Sequence, residues 1–451
     1  MGNFLSPPEK ESSNNNKQPS VQPNSRKRKK KSSSLTRESY NVKKEKQKGR
    51  GKEKEKEKEK GSQKLKRKRY NTNATKKPRQ QTQRISQTQQ TQRKSQPQQN
   101  QNLELTKRKR PIKRKVVLMF SYCGTGYHGL QIQYGELKHI KTVETDLVQA
   151  LIKCNAIHPR NQEDVKKIGW SRAGRTDKGV HSARQYVAFK MEFSYDEEQM
   201  VIELNKHLPS HIRAWGIRRV PKSFLAHKRA DSREYAFLLP TFLFSGKKVQ
   251  LIEPNFETKN NFVDDKVLFD KFDSEALSFL NQKVFSQFVG THNFHNYTKK
   301  KNFSEPSSKR YIKRMEAEEP QTIGGIKFVL IKIHGQSFML HQIRKMMTIA
   351  ITVMRGGEKL SFIEESFGQQ QLRIGIVPGD GLLLNKVFYE VYNNQKMGGI
   401  DKGDIYFEEK DQQIEEFLQN KIYKKVSQLE KENHTFRRWL NNYYQYPIER
   451  K

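Results

Sequence analysis

Arg172-Ala173-Gly174-Arg175-Thr176-Asp177-Lys178-Gly179-Val180-His181-Ser182-Ala183 places the Asp177 carboxylate between the cations of Arg175 and Lys178 and follows it with a glycine that permits a sharp turn. Spacing alone leaves a charged surface turn ahead of a reactive loop. The turn runs straight into Gln185–Lys190 (QYVAFK), which reads as a strand. Upstream, the apolar, β-branched run Lys115–Tyr122 (KVVLMFSY) predicts a buried strand, and a glycine-rich loop follows it. Val143, Leu147, Val148, Leu151 and Ile152 then fall on one helical stripe over Val143–Cys154, with Thr142 where an N-cap belongs.

Downstream, Met200–Leu208 predicts a short helix stopped by Pro209, and Ile212–Val220 and Ser232–Leu239 predict strands. Ser274–Phe288 reads as a helix with Ser274 as N-cap, and Ile326–His334 as a strand. Phe338–Met354 reads as a long helix ended by Gly356-Gly357. Strand character returns over Pro378–Tyr392, and from Phe407 onward the pattern is helical and charged, an accessory C-terminal layer. Strands and helices mixed without strict alternation predict an α+β fold, with helices on one face of an antiparallel sheet.

Composition divides the chain. Of 88 Lys+Arg and 48 Asp+Glu, 34 basic but only 9 acidic residues lie in residues 1–110. That segment holds the basic clusters Arg26–Lys31 and Lys64–Arg69, alternating Lys and Glu over Lys52–Lys60, and a Gln-, Thr- and Ser-rich stretch over Pro78–Asn102. It has too few apolar side chains to offset the entropy of ordering, so it is expected to be a disordered tail. The clusters read as nuclear import signals or as a phosphate-binding arm, and composition does not separate these. Met1-Gly2-Asn3-Phe4-Leu5-Ser6 also fits the loosely specified myristoylation pattern. No apolar run approaches the ~18–20 residues of a membrane span, so no membrane insertion is expected. Two cysteines, Cys123 and Cys154, make neither a disulfide framework nor a four-cysteine zinc site. A net charge of +40 points to nucleic acid.

Two motifs compete for attention and are set aside. Gly124-Thr125-Gly126-Tyr127-His128-Gly129 spells the dinucleotide fingerprint, and a nucleotide-dependent oxidoreductase would rest on it alone. That fingerprint works when its third glycine already lies in a helix facing the pyrophosphate. Here the helical stripe starts only near Thr142, so a tight turn exposing Tyr127 and His128 is expected instead. His292 with His295, His207 with His211 across Pro209, and His341 are read as structural or RNA-contacting, and no metal site is expected.

The Arg172–Ala183 stretch resembles the catalytic motif of the TruA-type tRNA pseudouridine synthases, in which arginine-threonine-aspartate-x-glycine-valine surrounds the essential aspartate. Further segments resemble the same family in the same order: Tyr122–Gln131, Arg233-Glu234-Tyr235, Phe288–Phe294, Ser337–Met346 and Pro378–Leu384. Cys123 departs from the aspartate usual in bacterial members, at a position that is not catalytic. His207–Arg213, Thr291–Tyr297 and His341-Gln342-Ile343-Arg344 are more similar to the eukaryotic nuclear branch. The resemblance covers about residues 114–395, with a weaker echo in Arg437–Pro447.

The resemblance implies two ferredoxin-like lobes with joined antiparallel sheets and a basic cleft between them. The lobes would span residues 111–235 and 236–395, with a helical extension over 396–451. It implies isomerisation of uridine to pseudouridine in RNA, chiefly tRNA, with small nuclear and messenger RNA as further candidates, and no cofactor. Asp177 would be catalytic, Arg344 would pair with it, and Tyr235 would stack on the target uracil. Arg175 would fill the gap left by the flipped nucleotide, and Thr176, His181 and Phe338 would complete substrate binding. The alternative on the same fold is an inactive RNA-binding or assembly factor, against which Asp177, Tyr235 and Arg344 stand intact. A monomer without an obligate protein partner is expected, in the nucleus, with a mitochondrial or cytoplasmic fraction not separated by sequence.

Overall fold

The computed structural model describes residues 113–193, 195–245, 271–395, 404–445 and 448–450, and the expectations for the tail lie outside them. Twelve strands occur among the described residues. They are β1 (Lys113–Tyr122), β2 (Ser171–Arg172), β3 (His181–Glu192), β4 (Ile212–Arg219), β5 (Ser232–Pro240) and β6 (Gly290–Asn293). After these come β7 (Lys309–Ala317), β8 (Gln321–Ile323), β9 (Ile326–Gly335), β10 (Leu372–Arg373), β11 (Leu382–Phe388) and β12 (Glu449–Arg450). Ten form one sheet in the order β4-β1-β3-β11-β5-β9-β7-β6, with β2 beside β3 and β8 beside β9, while β10 and β12 pair separately. The fold is α+β on a large mixed sheet.

The sheet is not wholly antiparallel. β11 pairs antiparallel with β5 and parallel with β3, Leu383 opposite His181 and Leu384 opposite Ser182. This corrects the all-antiparallel expectation. β5 also runs across the expected boundary at residue 235, so one strand carries residues from both sides of it.

β1 shows why its sequence is a nearly unbroken apolar run. Val116, Leu118, Phe120 and Tyr122 pack with Leu147 and Leu151 of helix α1 (Val143–Lys153) and with Met200 and Leu204 of helix α2 (Glu197–His207). Val117 and Met119 point to the opposite face and join a second cluster. A strand buried on both faces has no polar side to alternate. α1 starts where expected, since the Thr142 side chain accepts the Thr145 amide at 3.3 Å.

The second cluster joins Phe237, Leu239, Ile331 and Ile333 to Met346, Met347 and Ile349. Two helix boundaries differ from expectation. The 274–288 segment begins as a short helix α3 (Ser274–Phe279) capped by Asp273, whose carboxylate accepts the Ala276 amide, and continues as a π turn and a 3₁₀ turn to Phe288. Helix α4 covers only Gln342–Met354, because His341 sits at φ 63° and closes off any helix before it. The strand character after Pro378 ends at Phe388, and Glu390–Asn394 is a helical turn.

The C-terminal helices α5 (Asp411–Phe417), α6 (Lys424–Asn433) and α7 (Thr435–Gln445) pack back on the sheet. Ser427 donates to the Ile323 carbonyl at 2.7 Å, and Arg184 pairs with Asp411 at 2.8 Å. Just before them, the Phe407 ring fills the space a side chain would take at Gly216 of β4, and Arg218 lies over that ring. Gly216→Ala should therefore destabilise the protein by about 1–3 kcal/mol through overpacking. Denaturant unfolding checks this, and in a Phe407→Ala background the same substitution should be nearly neutral.

Candidate active site

A cavity of about 400 Å³ opens where the Arg172–Ala183 stretch meets the glycine loop and the N-terminus of α4. Its lining includes His128, Gln131, Gln133, Arg175, Thr176, Asp177, Lys178, His341 and Arg344. Asp177 is the only carboxylate among these residues. Three cations around one acid make a site suited to an anionic substrate.

The loop that carries Asp177 is fixed from behind. Glu144, fully buried in the first turn of α1, accepts Arg172 Nε at 2.6 Å and Nη2 at 2.9 Å, Trp170 Nε1 at 2.8 Å, and the Ile132 amide at 2.9 Å. One carboxylate thus ties the strand entering the Asp177 loop to the wall of the cavity. Charge and bonds together satisfy it, as a buried acid requires. Further along, Tyr122 and Thr176 share a hydroxyl bond of 2.7 Å, and Arg233 Nη2 donates to the Ala173 carbonyl at 3.0 Å. The Val180 amide donates to the Asp177 carbonyl at 3.2 Å, closing the turn at Gly179, where φ is 79°.

The glycine loop explains itself against this turn. A Cβ at Gly124 would overlap the Val180 carbonyl oxygen, and one at Gly129, where φ is 94°, would stand 2.8 Å from the Thr176 carbonyl. The Leu130 amide donates to that carbonyl at 3.3 Å. These glycines serve backbone approach to the Asp177 loop. Tyr127, expected to be exposed, is buried: its hydroxyl donates to Asp146 at 2.5 Å and meets His211 Nε2 at 2.7 Å. His128 is exposed and faces the cavity, as expected.

The structure brings Arg175, Thr176, Asp177 and Arg344 together at the cavity. Arg344 does not form an ion pair with Asp177 within 4 Å; its Nε donates to the Val377 carbonyl at 2.6 Å. Burial lowers the pKa of its guanidinium, against the raising influence of Asp177 and Asp380. The side chain that approaches Asp177 within 4 Å is instead His341, with Nε2 3.6 Å from Oδ2. Tyr235 and Phe338 meet edge to face at 5.3 Å, with the Tyr235 hydroxyl beside Gly174. Burial pushes the Tyr235 hydroxyl up to about 12, Arg233 opposing and Asp177 adding to the rise. His181 is fully buried and not at the cavity surface: its Nδ1 accepts the Gly124 amide at 2.9 Å and Nε2 donates to the Asp380 carbonyl at 2.6 Å. It braces the loop from inside. Among the described residues no cluster of three or more His, Cys, Asp or Glu could hold a metal ion, and no helix is long and apolar enough to cross a membrane.

Fold and cavity define a class: an α+β protein that presents a single carboxylate within a cation-lined site. The sequence model of the tRNA pseudouridine synthase family matches residues 284–390. The chain is 36% identical over 335 residues to the Pseudouridylate synthase 1 homolog of Mus musculus, covering 74% of each chain. It is 33% identical over 393 residues to tRNA pseudouridine synthase 1 of Yarrowia lipolytica, covering 72% of this chain and 73% of that one. Against tRNA pseudouridine synthase 1 of Eremothecium gossypii it is 35% identical over 398 residues, covering 74% of each. The chain belongs to the tRNA pseudouridine synthase family.

Gly129→Ala tests the loop. The substitution forces a strained φ and pushes on the Thr176 carbonyl. A shift of about 1 Å at the reacting groups can cost ~10²-fold, so pseudouridine formation measured well below the melting temperature should fall at least about tenfold. An unchanged rate would show that the loop does not set the position of Asp177.

Proposed function

We propose that this chain isomerises uridine to pseudouridine in tRNA, with Asp177 as the catalytic carboxylate. The observation that carries the reading is that Asp177 is the only carboxylate among the described residues that line a cavity with Arg175, Lys178 and Arg344. Breaking the C1′–N1 bond builds positive charge on the ribose, which one carboxylate can stabilise or capture. The detached uracil turns and C5 bonds to C1′; the C5 hydrogen leaves as a proton and N1 gains one. Hydrolysis of the same bond usually employs a second carboxylate to activate water, and none is among the described residues that line this cavity.

The remaining roles are part of the same proposal. Arg175, exposed at the cavity mouth, suits the gap left by a flipped nucleotide. Thr176 is held by Tyr122 and fixes the loop, and Arg344 supplies positive field without clamping the carboxylate. Tyr235, braced by Phe338, offers a ring face and a hydroxyl that keeps its proton near neutrality. His181 acts through the loop backbone. Two lobes with a basic cleft between them remain part of the proposal; the cations of Arg175, Lys178 and Arg344 at one cavity are what supports the cleft. Small nuclear and messenger RNA are further substrates to examine, and monomeric action in the nucleus is part of the proposal. The inactive-factor reading is disfavoured because the carboxylate and its cations are all present at one cavity.

Asp177→Asn keeps the volume and removes the charge. Release of tritium from C5-labelled uridine in tRNA should fall below detection, while tRNA binding stays within about twofold because the phosphate contacts remain. Wild-type tritium release by a variant verified by mass spectrometry would remove Asp177 from the mechanism. For localisation, residues 20–70 fused to an inert reporter should carry it into the nucleus through Arg26–Lys31 or Lys64–Arg69. A reporter that stays cytoplasmic would reject that role.

A further inference from the structure

His341 lines the cavity and has no role in the reading above. It is a non-glycine residue at φ 63°, immediately before the first residue of α4. Left-handed backbone is unfavourable for a histidine and persists only when its surroundings hold it. They do so here on both sides. The Leu340 carbonyl accepts Thr298 Oγ1 at 3.0 Å, the Met339 amide donates to Gln342 Oε1 at 2.9 Å, and the His341 carbonyl accepts the Lys345 amide at 3.0 Å. Lys345 in turn donates to the Asn296 and Thr298 carbonyls, at 2.9 and 3.0 Å. A turn bound this firmly in a strained state points its side chain somewhere for a reason.

It points at Asp177. Nε2 lies 3.6 Å from Oδ2, while Nδ1 is buried without a hydrogen-bond partner. A neutral imidazole carries one N–H and one lone pair. Protonation at Nδ1 would bury an unmatched N–H, so the proton belongs on Nε2, facing the carboxylate. A doubly protonated ring would add that same unmatched N–H beside Arg344, Lys299 and Lys345, with only Asp177 in its favour. Burial keeps the ring on the neutral side, since it lowers the pKa.

We infer that His341 is the positioning residue of the reaction: its Nε2–H holds Asp177 Oδ2 and leaves Oδ1 directed at the ribose C1′. The inference rests on the isomerase reading and deepens it. A neutral donor orients one oxygen and leaves the charge in place. At 3.6 Å the contact is just beyond hydrogen-bond length, and catalytic contacts of this kind shorten when substrate seats.

Backbone and side-chain roles separate by substitution. His341→Gly accepts φ 63° without strain and removes the donor; His341→Gln carries an amide N–H at the reach of Nε2. With C5-tritiated tRNA in single turnover at saturating RNA, His341→Gly should react at least about tenfold more slowly with its tRNA affinity within about twofold of wild type. His341→Gln should regain part of the rate, and added imidazole should accelerate the Gly variant. A Gly variant as fast as wild type, or a Gln variant as slow as Gly with no imidazole response, would overturn the inference. A wild-type protein that releases no tritium would overturn the isomerase reading itself, which keeps the two failures apart.

Discussion

The site hangs on residues 377–388, a stretch late in the sequence that is inserted into the middle of the sheet. β11 lies between β3, which follows the catalytic loop, and β5, which carries Tyr235. Leu384 stands opposite Ser182 on one side and Tyr235 on the other, and Ser182 Oγ donates to its carbonyl at 3.0 Å. The turn before the strand gives its Asp380 carbonyl to His181 and its Val377 carbonyl to Arg344. Gly381 has no room for a side chain because the Leu238 carbonyl approaches it. Three parts of the site, from distant points in the sequence, are therefore indexed to one strand, and a parallel pairing spanning some 200 residues fixes their relative heights.

Charge around the carboxylate is arranged in two depths. Behind the loop, Glu144 neutralises Arg172 in a buried, fully bonded pair whose task is geometric. In front, Arg175, Lys178 and Arg344 face the cavity, and Arg344 is tied to a backbone carbonyl instead of to Asp177. A carboxylate locked into a bidentate pair would be positioned but spent. Holding the cation by its Nε leaves Asp177 in a positive field with both oxygens free of a salt bridge to arginine.

The strands were legible because burial on one or both faces writes itself into local composition, as in Lys115–Tyr122 and Ile326–His334. The first helix was legible from its stripe and from Thr142. What local pattern does not carry is a contact between distant residues. Tyr127 looked like the tip of a turn because Asp146 and His211, which bury its hydroxyl, lie 19 and 84 residues away. The start of α4 was misplaced because Phe338–His341 is apolar enough to extend the stripe, and only the Thr298 and Gln342 bonds reveal the left-handed turn. Asp177 was legible as the acid of its motif; its neighbour His341, 164 residues further on, was not.

The glycine string after β1 shows why a motif must be read with its surroundings. In a dinucleotide fold such glycines clear space for a pyrophosphate at a helix N-terminus. In this chain Gly124 and Gly129 clear space for the Val180 and Thr176 carbonyls, so the crowding partner is the chain's own backbone. The Leu130 and Gly179 amides, donating to Thr176 and Tyr127, stitch the two loops together at 3.3 Å each. The same residue spacing answers the same steric demand, the absence of a Cβ, in the service of a different neighbour. What distinguishes the two uses is where the helix begins: at Val143 it starts too late to present its amides to a phosphate held by the glycines, and it presents Glu144 to the catalytic loop instead.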